Sequence, residues 1–208
     1  MAFVTLLPGE LTTGAIYDIL TGAIQPRPIA FVSSIDADGN PNLAPFSFFM
    51  PGGANPPSLV VSVTLGSEGR KKNTLTNIEA TREFVVNTVV REMADGMNQT
   101  SFSYPHGTSE WAPGGFTSIP SVVVQPARVA ESPISLECKL HEVVLHGSEA
   151  GAAAYIIGEV VAMHIDESIW SGGTIDARRF GPVSRLGGPD YLDLATLERF
   201  SLERPSSP

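Results

Sequence analysis

The sequence predicts a mainly β fold with helices (α+β), a β-barrel decorated by two or three of them. Seventeen prolines and twenty glycines punctuate short apolar runs along 208 residues. Those runs are rich in β-branched and aromatic residues, the composition of strands bounded by turns. A composition of 42% hydrophobic and 17% charged residues supplies one sizeable core and too little charge for disorder. No internal repeat and no linker divides the chain, so residues 1–208 read as a single domain.

Residues 28–35 (Pro-Ile-Ala-Phe-Val-Ser-Ser-Ile) form the first expected strand, followed by turn chemistry in Asp36-Ala-Asp-Gly-Asn40. Residues 43–49 return as a second strand that Pro45 restricts to an edge, a bulge or a loop facing a ligand. Residues 59–65 read as a nearly continuous apolar strand suited to a barrel interior. Helical spacing of Leu75 and Ile78 predicts a helix over 74–81, with Asn73 or Thr74 as its N-cap. A strand over 84–90 and a short helix over 93–100 come next. Residues 101–115, with His106 and Trp111, form a long aperiodic loop read as an ordered flap. Strands are expected over 121–129, 135–146 and 154–165, a terminal helix over 191–200, and a frayed end over 204–208.

The formal net charge is −9, and of thirteen Lys and Arg only Arg27 falls in the first 69 residues. That scarcity argues against nucleic acid and against a polybasic membrane anchor. Residues 39–67 carry no charge, but five prolines and Gly52-Gly53 rule out a continuous spanning helix there. No signal-peptide pattern opens the chain, and the expected location is the cytoplasm. The single cysteine, Cys138, excludes an internal disulfide framework and reads as a buried thiol.

Against this background Arg70-Lys71-Lys72-Asn73-Thr74 stands out, with three adjacent cations just before a helix start. A helix N-terminus exposes unpaired N–H groups and the positive end of the dipole, so the segment is suited to a phosphate, with the Thr74 hydroxyl as a further donor. A solvated charge run is the competing reading. P-loop and dinucleotide glycine motifs, a zinc helix motif and a nucleophile elbow are all absent. A phosphate site without acid–base or nucleophilic machinery fits a redox cofactor, which carries the chemistry while the protein binds and orients it. Leu43-Ala-Pro-Phe-Ser-Phe-Phe49, a Pro-broken strand with free backbone groups, the Ser47 hydroxyl and three aromatics, suits a planar flavin, although ordinary core is the alternative for that segment.

Arg27-Pro-Ile-Ala-Phe-Val-Ser-Ser, Asn42-Leu-Ala-Pro-Phe-Ser-Phe-Phe, Lys72-Asn-Thr-Leu-Thr-Asn-Ile, Glu83-Phe-Val-Val-Asn87, Glu137-Cys-Lys-Leu and Arg185-Leu-Gly-Gly-Pro-Asp-Tyr191 occur in this order. Together they resemble the flavin reductase-like FMN-binding family, over about residues 25–192. The resemblance implies a split β-barrel of the FMN-binding type and a homodimer with one FMN per subunit near the interface. It places Ala44, Pro45, Phe46 and Ser47 along the isoalloxazine. Lys72 and Thr74 would hold the phosphate with help from Arg70 or Lys71, and Asn73 stands where the family often has Asp. Arg27, Ser33 and Asn87 would lie near the cofactor, and Arg185 and Tyr191 would close over it, from the same chain or the partner. The implied activity is hydride transfer from NADH or NADPH to flavin, with an oxygenase or another acceptor downstream. A carrier holding FMN and reduced by a partner protein is the second reading, and a non-catalytic barrel binding another phosphorylated ligand is the third.

Overall fold

The computed structural model describes residues 1–105 and 107–206. The chain enters through helix α1 (Thr13–Ala23), where the Thr12 side chain caps the first turn by accepting from the Ala15 N–H. Strands β1 (Arg27–Pro28), β2 (Ala30–Ile35), β3 (Pro41–Phe46), β4 (Phe49–Ala54) and β5 (Pro57–Thr64) precede helix α2 (Asn73–Thr81). Strand β6 (Glu83–Asn87) leads to α3 (Ala94–Gln99) and the single turn α4 (Trp111–Gly114). The two-residue strands β7 (Ser118–Ile119) and β8 (Arg128–Val129) pair before the two long strands β9 (Ile134–His146) and β10 (Ala153–Ile165). A second short pair, β11 (Trp170–Ser171) and β12 (Thr174–Ile175), and the turn α5 (Ala177–Phe180) lead to β13 (Val183–Arg185), β14 (Asp190–Asp193) and β15 (Glu198–Ser201).

Seven strands form one antiparallel sheet in the order β3-β2-β6-β9-β10-β5-β4. The sheet curls until β3 lies against β5, yet no ladder joins these two among the described residues. The barrel is thus open along one seam. Its interior is filled by Val32, Phe46, Val61, Phe84 and Ile156, and α2 closes it with Leu75 and Ile78. Burial of each such side chain stabilises the fold by roughly 1.5–3 kcal/mol. Phe31, next to Val32, faces the other way into a second core with Leu43, Met97, Trp111 and Tyr191. That opposition is the period-two alternation of a strand buried on both faces. The smaller sheet, β1-β13-β14-β15, ties the end of the chain to its beginning.

The expected β-barrel with helices is what the chain forms, with differences in its elements that include the turn α4 inside the expected 101–115 loop and the following three. Residues 121–129 are no strand beyond the short β8. The N–H groups of Val122, Val123 and Val124 turn towards the Glu137 carboxylate instead of a ladder. Residues 191–200 form no helix but the β14–β15 hairpin. Asp193 accepts from the Ala195 N–H and the Thr196 hydroxyl, and this local turn competes with helix. Third, α1 was not expected, because Gly14 and Gly22 dilute its apolar spacing and only Thr21 of its residues is buried. The α2 N-cap also differs: it is Lys72, with no side-chain cap bond. His106, Ser207 and Pro208 lie outside the described residues, so the loop expectation at His106 and the last two positions of the frayed end do too.

Gly158 occupies a register shift in β10, opposite the fully buried Phe84. A Cβ at Gly158 would come within 2.4 Å of the Phe84 ring. Gly158→Ala is therefore expected to cost about 1–3 kcal/mol through overpacking. Thermal unfolding would register a Tm several degrees lower, and an unchanged Tm would show that the ring yields freely.

Candidate functional site

A cavity of about 600 Å³ lies beside β3. One wall is β3 and the residue after it, where Ala44, Pro45, Phe46 and Ser47 line the space. β3 ends the sheet, so its outer row of backbone groups has no strand partner. One of these groups is used locally: the Leu43 N–H donates to Glu110 Oε2 at 2.9 Å. Glu110 is buried at the cavity, and that burial pushes its carboxyl above the ordinary range, only partly offset by the bond from Leu43.

The opposite wall is the turn into α2, which brings Arg70, Lys71, Lys72, Asn73 and Thr74 to the same cavity. Their side chains are not equivalent. Lys71 is committed to Glu79, with Nζ 2.7 Å from Oε2. Arg70 is steadied by Ser67, whose hydroxyl accepts from Nη2 at 2.8 Å. Lys72 has no carboxylate partner among the described residues, and its ammonium lies 5.8 Å from the Phe46 ring centroid. Burial lowers its pKa, and the nearby Arg204 lowers it further. The Thr74 hydroxyl accepts from Asn42 Nδ2 at 3.0 Å, which orients it and leaves its own O–H available.

A third wall comes from the C-terminal sheet of the same chain. Arg185 stacks 4.4 Å over the Tyr191 ring, donates to its hydroxyl, and bonds Gly188 O at 2.6 Å. Burial raises the Tyr191 pKa, with Arg185 opposing that shift. Tyr191 stacks in turn on Phe200, with centroids 5.5 Å apart. Five cations line the cavity (Arg70, Lys71, Lys72, Arg185 and Arg204), with Glu110 as the one carboxylate among the described lining residues.

Eleven of the fourteen residues expected near the cofactor, Tyr191 included, thus line one cavity. Arg27, Ser33 and Asn87 do not line it. Arg27 is a buried clamp whose guanidinium donates to Thr21 O, Ile24 O and Leu186 O. Its Nε also reaches the Ser47 hydroxyl at 3.4 Å, so it supports the wall from behind. Asn87 is used up inside the protein, bonding Phe31 O, the Val129 N–H and the Ser135 hydroxyl. Ser33 faces the interior, its hydroxyl without a partner among the described residues. Sequence reasoning passed over Glu110 and Arg204, which lay in segments read as a loop and a frayed end. It also passed over Asn42, which sits in a recognised motif but was assigned no role.

The family model described as "Flavin reductase like domain" matches residues 23–180. An uncharacterized protein of Halalkalibacterium halodurans is 39% identical, over 97% of this chain and 96% of its own length. The crystal structure of nitrilotriacetate monooxygenase component B from Bacillus cereus superposes with a TM-score of 0.90 at 36% identity, covering 97% of this chain and all of that one. The 2-nitrobenzoate 2-nitroreductase NbaA of Pseudomonas fluorescens gives 0.82 at 32% identity, over 98% of this chain and 97% of its own. The chain belongs to the flavin reductase-like family, with its split β-barrel fold.

Proposed function

We propose that this protein is an FMN-binding, NAD(P)H-dependent flavin reductase-like oxidoreductase. The observation that carries the reading is the polarity of the cavity: a cationic end at the α2 N-terminus and, across from it, an unpaired strand edge with apolar side chains. The volume of about 600 Å³ lies within the range of cofactor sites. When bound there, FMN would supply hydride acceptance from the nicotinamide. Lys72, the α2 N–H groups and the Thr74 hydroxyl would hold its phosphate, and the free edge of β3 at Ala44 to Ser47 would bond and support the ring. The chain needs no catalytic base; its contribution is orientation and a set of fixed donors where negative charge develops on reduction.

The same reading makes residues 1–208 a single cytoplasmic domain that works as a homodimer. Support for the dimer comes from α1, where Tyr17, Ile19 and Leu20 are exposed, as is Ile24 just beyond it. The Bacillus cereus relative is named as a component of a monooxygenase, so an oxygenase is the class of electron acceptor that fits first. No described helix is long and apolar enough to cross a membrane.

The test is the visible spectrum of the purified protein with added FMN, followed by anaerobic titration with NADH and with NADPH. Bleaching of the flavin band by either nucleotide is the expected result. FMN binding with no bleaching would favour the carrier reading, and no change in spectrum or melting temperature with FMN would overturn the flavin assignment.

A further inference from the structure

We propose that the C-terminal tail is a strap that brings Arg204 to the cavity as a ligand for the phosphate of the bound flavin. The inference rests on the FMN reading above and adds to it a residue beyond the segment matched by the family. The tail is fastened at successive positions. The Leu202 N–H donates to Pro189 O at 3.1 Å, and Asn98 Nδ2 donates to Glu203 O at 2.7 Å. Arg204 Nη2 donates to Ser101 O at 2.9 Å. Leu202 and Phe200 pack on the second core, and Arg91 covers the Phe200 ring at 4.1 Å. These contacts set the tail on the segment after α3, which itself lines the cavity, and Arg204 lines it too.

The electrostatics of this placement point to an anion. Among the described residues Arg204 bonds only a neutral carbonyl, and neither it nor Lys72 has a carboxylate partner there. The two charges are near enough for Arg204 to disfavour protonation of Lys72. Holding two like charges at one cavity is unfavourable until something negative lies between them. A phosphate monoester, with a charge of about −1.5 to −2, turns that repulsion into attraction to both, and a guanidinium can meet two of its oxygens at once.

The test compares FMN with riboflavin, which has the same ring and no phosphate. Fluorescence quenching would be titrated for the wild type, Arg204→Ala and Arg204→Lys. Arg204→Ala is expected to weaken FMN binding about tenfold and riboflavin binding less than about twofold, with Arg204→Lys recovering part of the loss. Equal losses for the two flavins would mean that the tail only packs, and unchanged FMN affinity would remove Arg204 from the site; either overturns the proposal while leaving the FMN reading intact. A wild-type protein that binds neither flavin would instead overturn the FMN reading, and this proposal with it.

Discussion

Replacing Lys72 and Thr74 together with alanine is expected to weaken FMN binding about 100-fold, as measured by titration of the flavin fluorescence. A charge-assisted hydrogen bond contributes about 1.5–3 kcal/mol and a neutral one about 1 kcal/mol, and the sum of roughly 3 kcal/mol corresponds to two decades. Lys72 is partly buried at its ammonium and has no carboxylate partner among the described residues. Lys71 is paired with Glu79, and Arg70 is held at the rim by Ser67. The pH dependence follows from the lowered Lys72 pKa, which burial causes first and Arg204 second. Phosphate favours the charged ammonium, so the lysine's contribution to affinity is complete at neutral pH. It falls as pH rises through the free-protein pKa, which lies below the ordinary lysine range of about 10.4. That alkaline limb should vanish in Lys72→Ala. If the double variant binds FMN like the wild type, the phosphate lies elsewhere in the cavity.

Much of the barrel was legible because its strands advertise themselves in two ways. Residues 134–146 and 153–165 carry β-branched runs long enough to outweigh local ambiguity, and Leu75 with Ile78 marks the inward face of α2. The cation triplet was legible for a different reason, its isolation in an acidic chain. What sequence could not show is which buried polar group serves the interior and which serves a ligand. Asn87 and Ser33 look like site residues on a strand, yet β2 and β6 are buried on both faces, so either alternation leads into the protein. Arg27 is a related case: an isolated arginine beside a flavin motif suggests a ligand contact, yet it does not line the cavity. Its four bonds to the chain itself make it a brace for Ser47 and for the end of α1.

The converse error explains Glu110 and Arg204. Both lie in aperiodic segments, where neither spacing nor local propensity carries information about place, and both reach the cavity through long-range contacts. Leu43 and Glu110 are 67 residues apart when they bond, and Arg204 meets Ser101 across 103. The misread strand at 121–129 belongs with them. Its valines satisfy strand propensity, but the competing partner for its N–H groups is a carboxylate on β9 that no local window contains.

That carboxylate carries the largest stability effect expected of any single side chain considered. Glu137 is fully buried, and its Oε1 accepts from the Val122 N–H at 2.8 Å while its Oε2 accepts from Val123 at 2.7 Å and Val124 at 3.1 Å. His164 Nε2 lies 2.7 Å from Oε1 and acts as the donor, since the carboxylate can only accept. Burial pushes the Glu137 pKa up, but these four bonds together outweigh it, and the net shift is downward. Glu137→Leu would strand three backbone donors and the imidazole, at about 3–5 kcal/mol, or a fall in Tm on the order of 10 °C. Glu137→Gln keeps the shape and one acceptor and should fall in between. Because the folded-state pKa is depressed, the carboxylate's contribution is present above the unfolded value of about 4.3 and is lost as pH falls through the folded one. Denaturant unfolding of the wild type and Glu137→Gln between neutral pH and pH 3 should therefore give stability curves that converge as acid is added. Curves that stay parallel would mean that Glu137 titrates alike in both states and that the loop is held by something other than its charge.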